Sequence, residues 1–223
     1  MIVDHSGPVL LIGGGAVCPE QLRLARALCA VVVAADSGAD TAMAHEIRPV
    51  AVIGDLDSLG KATRAALPAQ SIHHIPEQDS TDFDKCLRNI NAPLVIGLGF
   101  AGARVDHELA AFNSLVRWPE KRCLLLGPQT LTFLAPPALR LPLDHGTTVS
   151  LFPLGAVEAV SDGLLWPIGG LNFTPDGQIG TSNMATGEVT LNFTAPKMLM
   201  ILPAQCLDVT VRALMDTPQT WGL

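Results

Sequence analysis

The sequence has no run of basic residues: 14 lysines and arginines face 21 aspartates and glutamates, leaving a formal net charge of −7. That argues against unassisted binding to nucleic-acid phosphates and against docking on an anionic membrane, since both rest on clustered Lys and Arg. A polyanionic small molecule such as a nucleotide would need a metal ion to offset the like charge. Cysteine pairs at metal or redox spacing are also missing. Cys18, Cys29, Cys86, Cys123 and Cys206 are scattered and odd in number, which fits reduced thiols in a cytoplasmic protein, most of them core filler. No apolar stretch approaches the roughly 20 residues that span a bilayer. The first residues carry Asp4 ahead of a short apolar run and do not read as a signal peptide. There is no internal repeat and no low-complexity linker. With 48% apolar and 16% charged residues, the expectation is a soluble globular protein. Its 223 residues allow one sizeable core or two modest ones.

What is present falls into two textures. "PVLLIGG" (8–14), "AVVVAAD" (30–36), "VAVIGD" (50–55), "SIHHIP" (71–76) and "PLVIGLG" (93–99) read as strands, several nearly continuous in apolar residues. Such runs belong to strands buried on both faces of a parallel sheet. The segments between them read as helices, so residues 1–120 are expected to form an α/β domain with right-handed crossovers. From 121 to 223 short alternating runs, among them "TVSLFPL" and "EVTLNF", are separated by Gly, Pro and Asp clusters. These predict an antiparallel β-sandwich. The tail after residue 208 carries little pattern, and Trp221 reads as a tether.

Polar residues in the α/β half gather just after strand C-termini, where open α/β sheets bind ligands. Gly13–Gly15 is not a dinucleotide fingerprint, because the third glycine would fall on Cys18; it is either a phosphate cradle or a plain turn. Asp36 ends a strand, either to meet a ribose or base or to cap the next helix. Asp55 and Asp57 project to one side if the chain stays extended, and paired carboxylates suit Mg²⁺. A turn with Asp57 as a helix cap is the alternative, but it leaves Asp55 unpaired. Thr81 and Asp84 fit a capping box, with Phe83, Leu87 and Ile90 as the buried face and Cys86 buried beside them. Asp82 and Lys85, three apart, share another face, either to serve a metal-bound phosphate or as a solvated ion pair. After "GLGFAGA", Arg104 is suited to clamp a phosphate with its bidentate fork. The helix that follows is expected to bury Leu109, Phe112 and Val116, with Asp106, Ala110 and Asn113 on another face. His107 reads as structural or as a general acid or base.

Taken in order, "ADSGAD", "VIGDLDSL", "DSTDFDKCL" and "GFAGARVDHELAAFNSL" resemble thiamine pyrophosphokinase, from about residue 10 to 120. The likeness resumes weakly in "GLLWPI" (163–168) and "GTSNMATGEVTL" (180–191). The resemblance implies transfer of a diphosphoryl group from Mg-ATP to the hydroxyl of thiamine, giving thiamine diphosphate and AMP. It also implies a homodimer with active sites shared between subunits. Carried over by motif, Asp55, Asp57 and Asp82 are magnesium ligands, and Lys85, Arg104 and Asp106 contact phosphates or order the site. The implied ATP-binding set is Gly14, Asp36, Ser37, Gly38, Thr81, Asp82, Lys85 and Arg104. Trp166, Ser182, Asn183 and Asn113 are the implied thiamine contacts, so the β domain contributes to the thiamine pocket. Ala103 stands where the family has a glycine. Competing readings are a diphosphokinase for a hydroxymethylpterin and a nucleotide-sensing module without turnover.

Overall fold

The computed structural model describes every residue except Ala103, Gln219 and Leu223; the Ala103 departure therefore lies outside the described residues. The chain divides into two compact units, one of Met1–Ser114 with Leu125–Pro128, the other of Leu115–Leu124 with Gln129–Leu223.

In the first unit the strands are β1 (Val3–Asp4), β2 (Val9–Ile12), β3 (Val31–Ala35), β4 (Ala51–Gly54), β5 (Ile72–His74), β6 (Ile90–Asn91) and β7 (Val95–Leu98). The helices between them are α1 (Pro19–Leu28), α2 (Gly38–Ala44), α3 (Lys61–Ala66) and α4 (Asp82–Asn89), followed by α5 (Val105–Arg117), which straddles the division. Five strands form a parallel sheet in the order β7-β2-β3-β4-β5, with Val9 opposite both Val95 and Val31, Val33 opposite Ala51 and Val52 opposite Ile72. Every residue of β2, β4 and β7 is buried, as the unbroken apolar runs require of strands covered on both faces. The short β1 and β6 pair separately.

Leu56 and Leu59, just past β4, pack into a cluster with Ala34, Ala39, Val52 and Leu67. Burying each leucine stabilises the fold by about 1.5–3 kcal/mol, and it pins the loop that carries Asp55 and Asp57. On α4, Phe83, Cys86 and Leu87 are buried as the spacing predicts; Ile90 is buried too, but it opens β6.

The expected face of α5 is covered only in part, at Val116 and, less fully, at Phe112. Leu109 is 59% exposed and Phe112 half-buried, while Ala111, Ser114, Leu115 and Val116 are buried. The helix carries two apolar stripes. The one through Ala111 and Leu115 goes inward, leaving Val105 and Leu109 outside.

The second unit continues with β8 (Cys123–Leu126, which straddles the division), β9 (Thr130–Leu134), β10 (Ala138–Leu141), β11 (Thr148–Pro153), β12 (Val157–Leu164), β13 (Asn172–Phe173), β14 (Gly180–Phe193) and β15 (Met198–Pro203), then α6 (Leu207–Asp216). Strands β9, β15, β11 and β14 pair antiparallel in that order. The 14-residue β14 is shared: Gly180–Met184 pairs with β11, whereas Ala185–Phe193 pairs with β12 and β10. Burial alternates along β11 and β12, as in a sandwich whose sheets each have one inner face. Where β12 bulges, Gly163 takes φ +80°, and a Cβ there would collide with the Glu188 carbonyl.

Helix α6 occupies part of the tail in which the sequence showed little pattern. It buries Leu207, Thr210, Val211, Ala213 and Leu214, one stripe that a threonine interrupts. Trp221 does act as a tether, its Nε1 donating to the Ala135 carbonyl at 2.8 Å. No helix among the described residues is long and apolar enough to cross a membrane.

Candidate active site

Successive strands of the first unit run β2 to β5 in one direction, while β7 lies on the other side of β2. The chain order therefore reverses between β2 and β7, the place where open α/β sheets bind ligands. A cleft of about 590 Å³ sits there, lined by residues from all five strand-end loops. The glycines explain how the loops come so close. Gly13 and Gly15 donate their N–H groups to Leu98 and Gly99 carbonyls at 2.8 and 3.0 Å, and Gly99 at φ +77° has no room for a Cβ. These two amides serve loop packing, while Gly14 and Gly15 line the cleft, Gly14 lying against Ser37. Asp36 and Ser37 also line the cleft. Gly38 is buried against the end of β2, where a Cβ would strike the Ile12 carbonyl.

The chain does not stay extended after β4. Leu56 turns with φ +63°, and Asp57 N–H donates back to Asp55 Oδ1 at 3.3 Å. The two carboxylates still converge, now with Asp36 as the third: each offers an oxygen within 4.8 Å of the others. Asp36 is 6% exposed, itself at φ 44°, and accepts from the Ser58 N–H at 3.3 Å through Oδ2. Among the described residues its buried Oδ1 meets no partner. Burial, reinforced by the Asp82 and Asp57 charges, raises its pKa above the usual carboxylate range despite the Ser37 and Ser58 amides. A buried oxygen without a partner, beside two more carboxylates, is a donor set for a hard cation that takes oxygen ligands.

Asp82 sits differently from the other acids. Its Oδ1 accepts from the Asp55 N–H at 3.2 Å and from Lys85 Nζ at 3.0 Å, and Lys85 also reaches Asp55 Oδ2 at 3.5 Å. The expected trio was Asp55, Asp57 and Asp82; the gathered trio is Asp36, Asp55 and Asp57, with Asp82 engaged by Lys85. Lys85 is 1% exposed. Burial pulls its pKa down, but the bonds and charges of Asp82 and Asp55 outweigh this and raise it. At Asp55 desolvation opposes ionisation, and the Asp57 amide, the Lys85 charge and Gln78 together lower the pKa nonetheless. Gly54 makes this crowding feasible, because its missing side chain leaves space for both Asp82 and Asp36. Thr81 is taken up in the capping box with Asp84.

On the cleft's other wall, Arg104 and His107 line the opening. The exposed Arg104 pairs bidentately with Asp106, Nε to Oδ1 at 3.1 Å and Nη2 to Oδ2 at 2.5 Å. The hydrogen bond from Arg104 is the chief cause of Asp106's lowered pKa. Asn113 is exposed further along α5 and is not among the cleft-lining residues. Phe83 and Phe100, with ring centroids 4.6 Å apart, add an apolar wall that the sequence reading did not single out at Phe100.

Trp166, Ser182 and Asn183 lie in the second unit. Asn183 is buried and grips the Trp166 backbone from both ends: its Oδ1 accepts from Trp166 N–H at 3.2 Å, and its Nδ2 donates to the Trp166 carbonyl at 2.7 Å. The Trp166 side of that loop is open, the residue being 57% exposed. Ser182 is exposed at φ 60°, with its N–H on Ser150 Oγ at 2.9 Å.

Comparison with known proteins points the same way. The family model "Thiamin pyrophosphokinase, catalytic domain" matches residues 24–126, and "Thiamin pyrophosphokinase, vitamin B1 binding domain" matches residues 138–198. Thiamine pyrophosphokinase 1 of Arabidopsis thaliana is 28% identical over 166 residues, 66% of this chain and 62% of its own. Thiamine pyrophosphokinase 3 of Oryza sativa subsp. japonica is 29% identical over 163 residues, 65% of this chain and 61% of its own. The chain thus spans a little over three-fifths of these curated relatives. Among solved structures, thiamin pyrophosphokinase from Geobacillus thermodenitrificans superposes with TM-score 0.74 at 22% identity, covering 88% of this chain and 96% of that one. The Candida albicans enzyme gives 0.74 at 16% identity, covering 91% and 94%. At such identities these two likenesses speak for the fold.

Proposed function

The chain belongs to the thiamin pyrophosphokinase family, and from that premise we propose that it transfers the diphosphoryl group of ATP to the hydroxyl of thiamine in a magnesium-dependent reaction. The observation that carries the reading is the convergence of Asp36, Asp55 and Asp57, with a buried unpartnered oxygen, in a strand-end cleft shared with Arg104. Asp36, Asp55 and Asp57 would hold the ion, which when bound neutralises phosphate charge and polarises the phosphorus under attack.

In the proposed reaction the thiamine hydroxyl gives its proton to a carboxylate of the cleft, and its oxygen bonds to the β-phosphorus. The bond from that phosphorus to the oxygen bridging the α-phosphate breaks, and AMP leaves. Charge grows on phosphate oxygens, so the chain contributes mainly by positioning and electrostatics. Arg104, its fork oriented by Asp106, clamps a phosphate at the cleft mouth. Gly14, Ser37 and Asp36 bound the nucleotide side, and the capping box of Thr81 fixes the start of α4 and so the place of Asp82 and Lys85. Trp166 offers its ring for stacking on the thiamine pyrimidine. Asn183 holds that loop, and Ser182 and Asn113 complete the proposed thiamine contacts. The reading extends to a homodimer with shared sites, as the family resemblance implies, and to a cytoplasmic location, as the scattered cysteines suggest.

Incubation with Mg-ATP and thiamine, followed by chromatography for AMP and thiamine diphosphate, tests the reaction. Asp55→Asn and Asp57→Asn should each cut turnover by at least about 100-fold with unchanged circular dichroism. Normal activity in either variant would remove the metal role. AMP formed with a hydroxymethylpterin but not with thiamine would reassign the acceptor, and ATP binding without turnover would make the chain a sensor.

A further inference from the structure

Lys85 is an unusual residue to find where it stands. It is among the largest fully buried side chains of the protein, and it lies in the first turn of α4, where the helix dipole disfavours a cation. Burying an ammonium costs several kcal/mol unless carboxylates compensate it. Two do so directly, Asp82 at 3.0 Å and Asp55 at 3.5 Å, and Asp36 and Asp57 crowd against Asp55. Four carboxylates in one place repel one another, and Lys85 reaches two of them, Asp55 and Asp82. A side chain 1% exposed with its Nζ already held twice suits a fixed internal charge better than a mobile hook for phosphate.

We propose that Lys85 is the resident cation of the acidic cluster: it holds Asp55 and Asp82 in the ion-free protein and gives up Asp55 when a divalent ion binds. Lys85 is then a positioning residue with two linked effects. It keeps the carboxylates assembled before any ion arrives, and it weakens ion binding by competing for Asp55. The inference rests on the magnesium reading above. Its signature is a trade: removing the charge harms the ion-free fold and strengthens the ion site.

The test uses Lys85→Gln, one atom shorter but still able to donate a hydrogen bond toward Asp82, and Lys85→Met, titrated with MgCl₂ alone in a calorimeter and melted with and without it. The expected result is magnesium affinity raised by about tenfold or more, a modest share of the Coulomb interaction a few ångströms from a divalent ion at an effective dielectric of about 20. Melting temperatures should fall in ion-free buffer, and the deficit should shrink as magnesium saturates. Unchanged or weaker magnesium affinity in a folded variant overturns the proposal. So does weakened ATP affinity with unchanged magnesium affinity, which would make Lys85 a phosphate contact. If neither variant folds even in saturating magnesium, the role is structural and the proposal also falls. Wild-type protein that binds no magnesium would overturn the magnesium reading itself, whereas binding that the variants leave unaltered overturns only this inference.

Discussion

Asp40 offers a quantitative check on how the acidic loop is held. It sits on α2, half-buried, and its carboxylate reaches twenty residues ahead to the start of α3. There Oδ2 accepts the Gly60 N–H at 3.0 Å, and Oδ1 accepts the Thr63 hydroxyl. Helix α3 has no side-chain cap of its own, because its N-cap is Gly60, and a Cβ at Gly60 would meet the Asp40 carboxylate. Asp40 is thus a cap supplied from a neighbouring helix. Losing an N-cap costs about 0.5–2 kcal/mol, and a hydrogen bond to a charged group is worth about 1.5–3 kcal/mol. Water can replace part of the second at a half-exposed position, so Asp40→Ala should destabilise by about 2 kcal/mol. In a chain of this size that lowers the melting temperature by about 4–8 °C. Asp40→Asn keeps one acceptor oxygen and should lose about half as much. Differential scanning calorimetry reads both. An alanine variant melting within about 1 °C of wild type, or an asparagine variant as damaged as alanine, would refute the capping argument.

Two further outcomes follow from the geometry. Asp36 has a folded pKa raised by burial, so whatever stability it contributes is present at low pH and lost as pH rises through the folded value. In metal-free buffer at pH 7, Asp36→Asn should therefore melt higher than wild type, with the gap closing as pH falls through the carboxylate range; a less stable variant at pH 7 would contradict the sign. Gly163→Ala, at φ +80° and against the Glu188 carbonyl, should cost more than about 2 kcal/mol in urea unfolding, and a loss under about 0.5 kcal/mol would show that the bulge gives way freely.

The strand ends were legible because sterics and burial write them locally. Unbroken apolar runs such as those of β2 and β4 have no partner-dependent alternative, and polar residues directly after them mark the ligand-binding edge. The division of labour among the acids was not legible. Alternation puts Asp55 and Asp57 on one side only in an extended chain, and Leu56 at φ +63° ends the extension. Their convergence with Asp36 depends on β3 and β4 being neighbours, which spacing does not express. Lys85 at three residues from Asp82 was visible as a pair, but its burial was not, since the covering atoms come from other elements. On α5 two apolar stripes compete, and only packing decides between Leu109 and Leu115. Helix α6 escaped notice because ten residues with a threonine on the buried stripe make a weak period.

The length of β14 has a consequence for how the second unit comes apart. Because Gly180–Met184 completes one sheet and Ala185–Phe193 completes the other, the two ladders share one covalent segment. Pulling that strand away removes a ladder from both at once, so the unit gains all-or-none folding from a single covalent segment instead of from matched stabilities in two sheets.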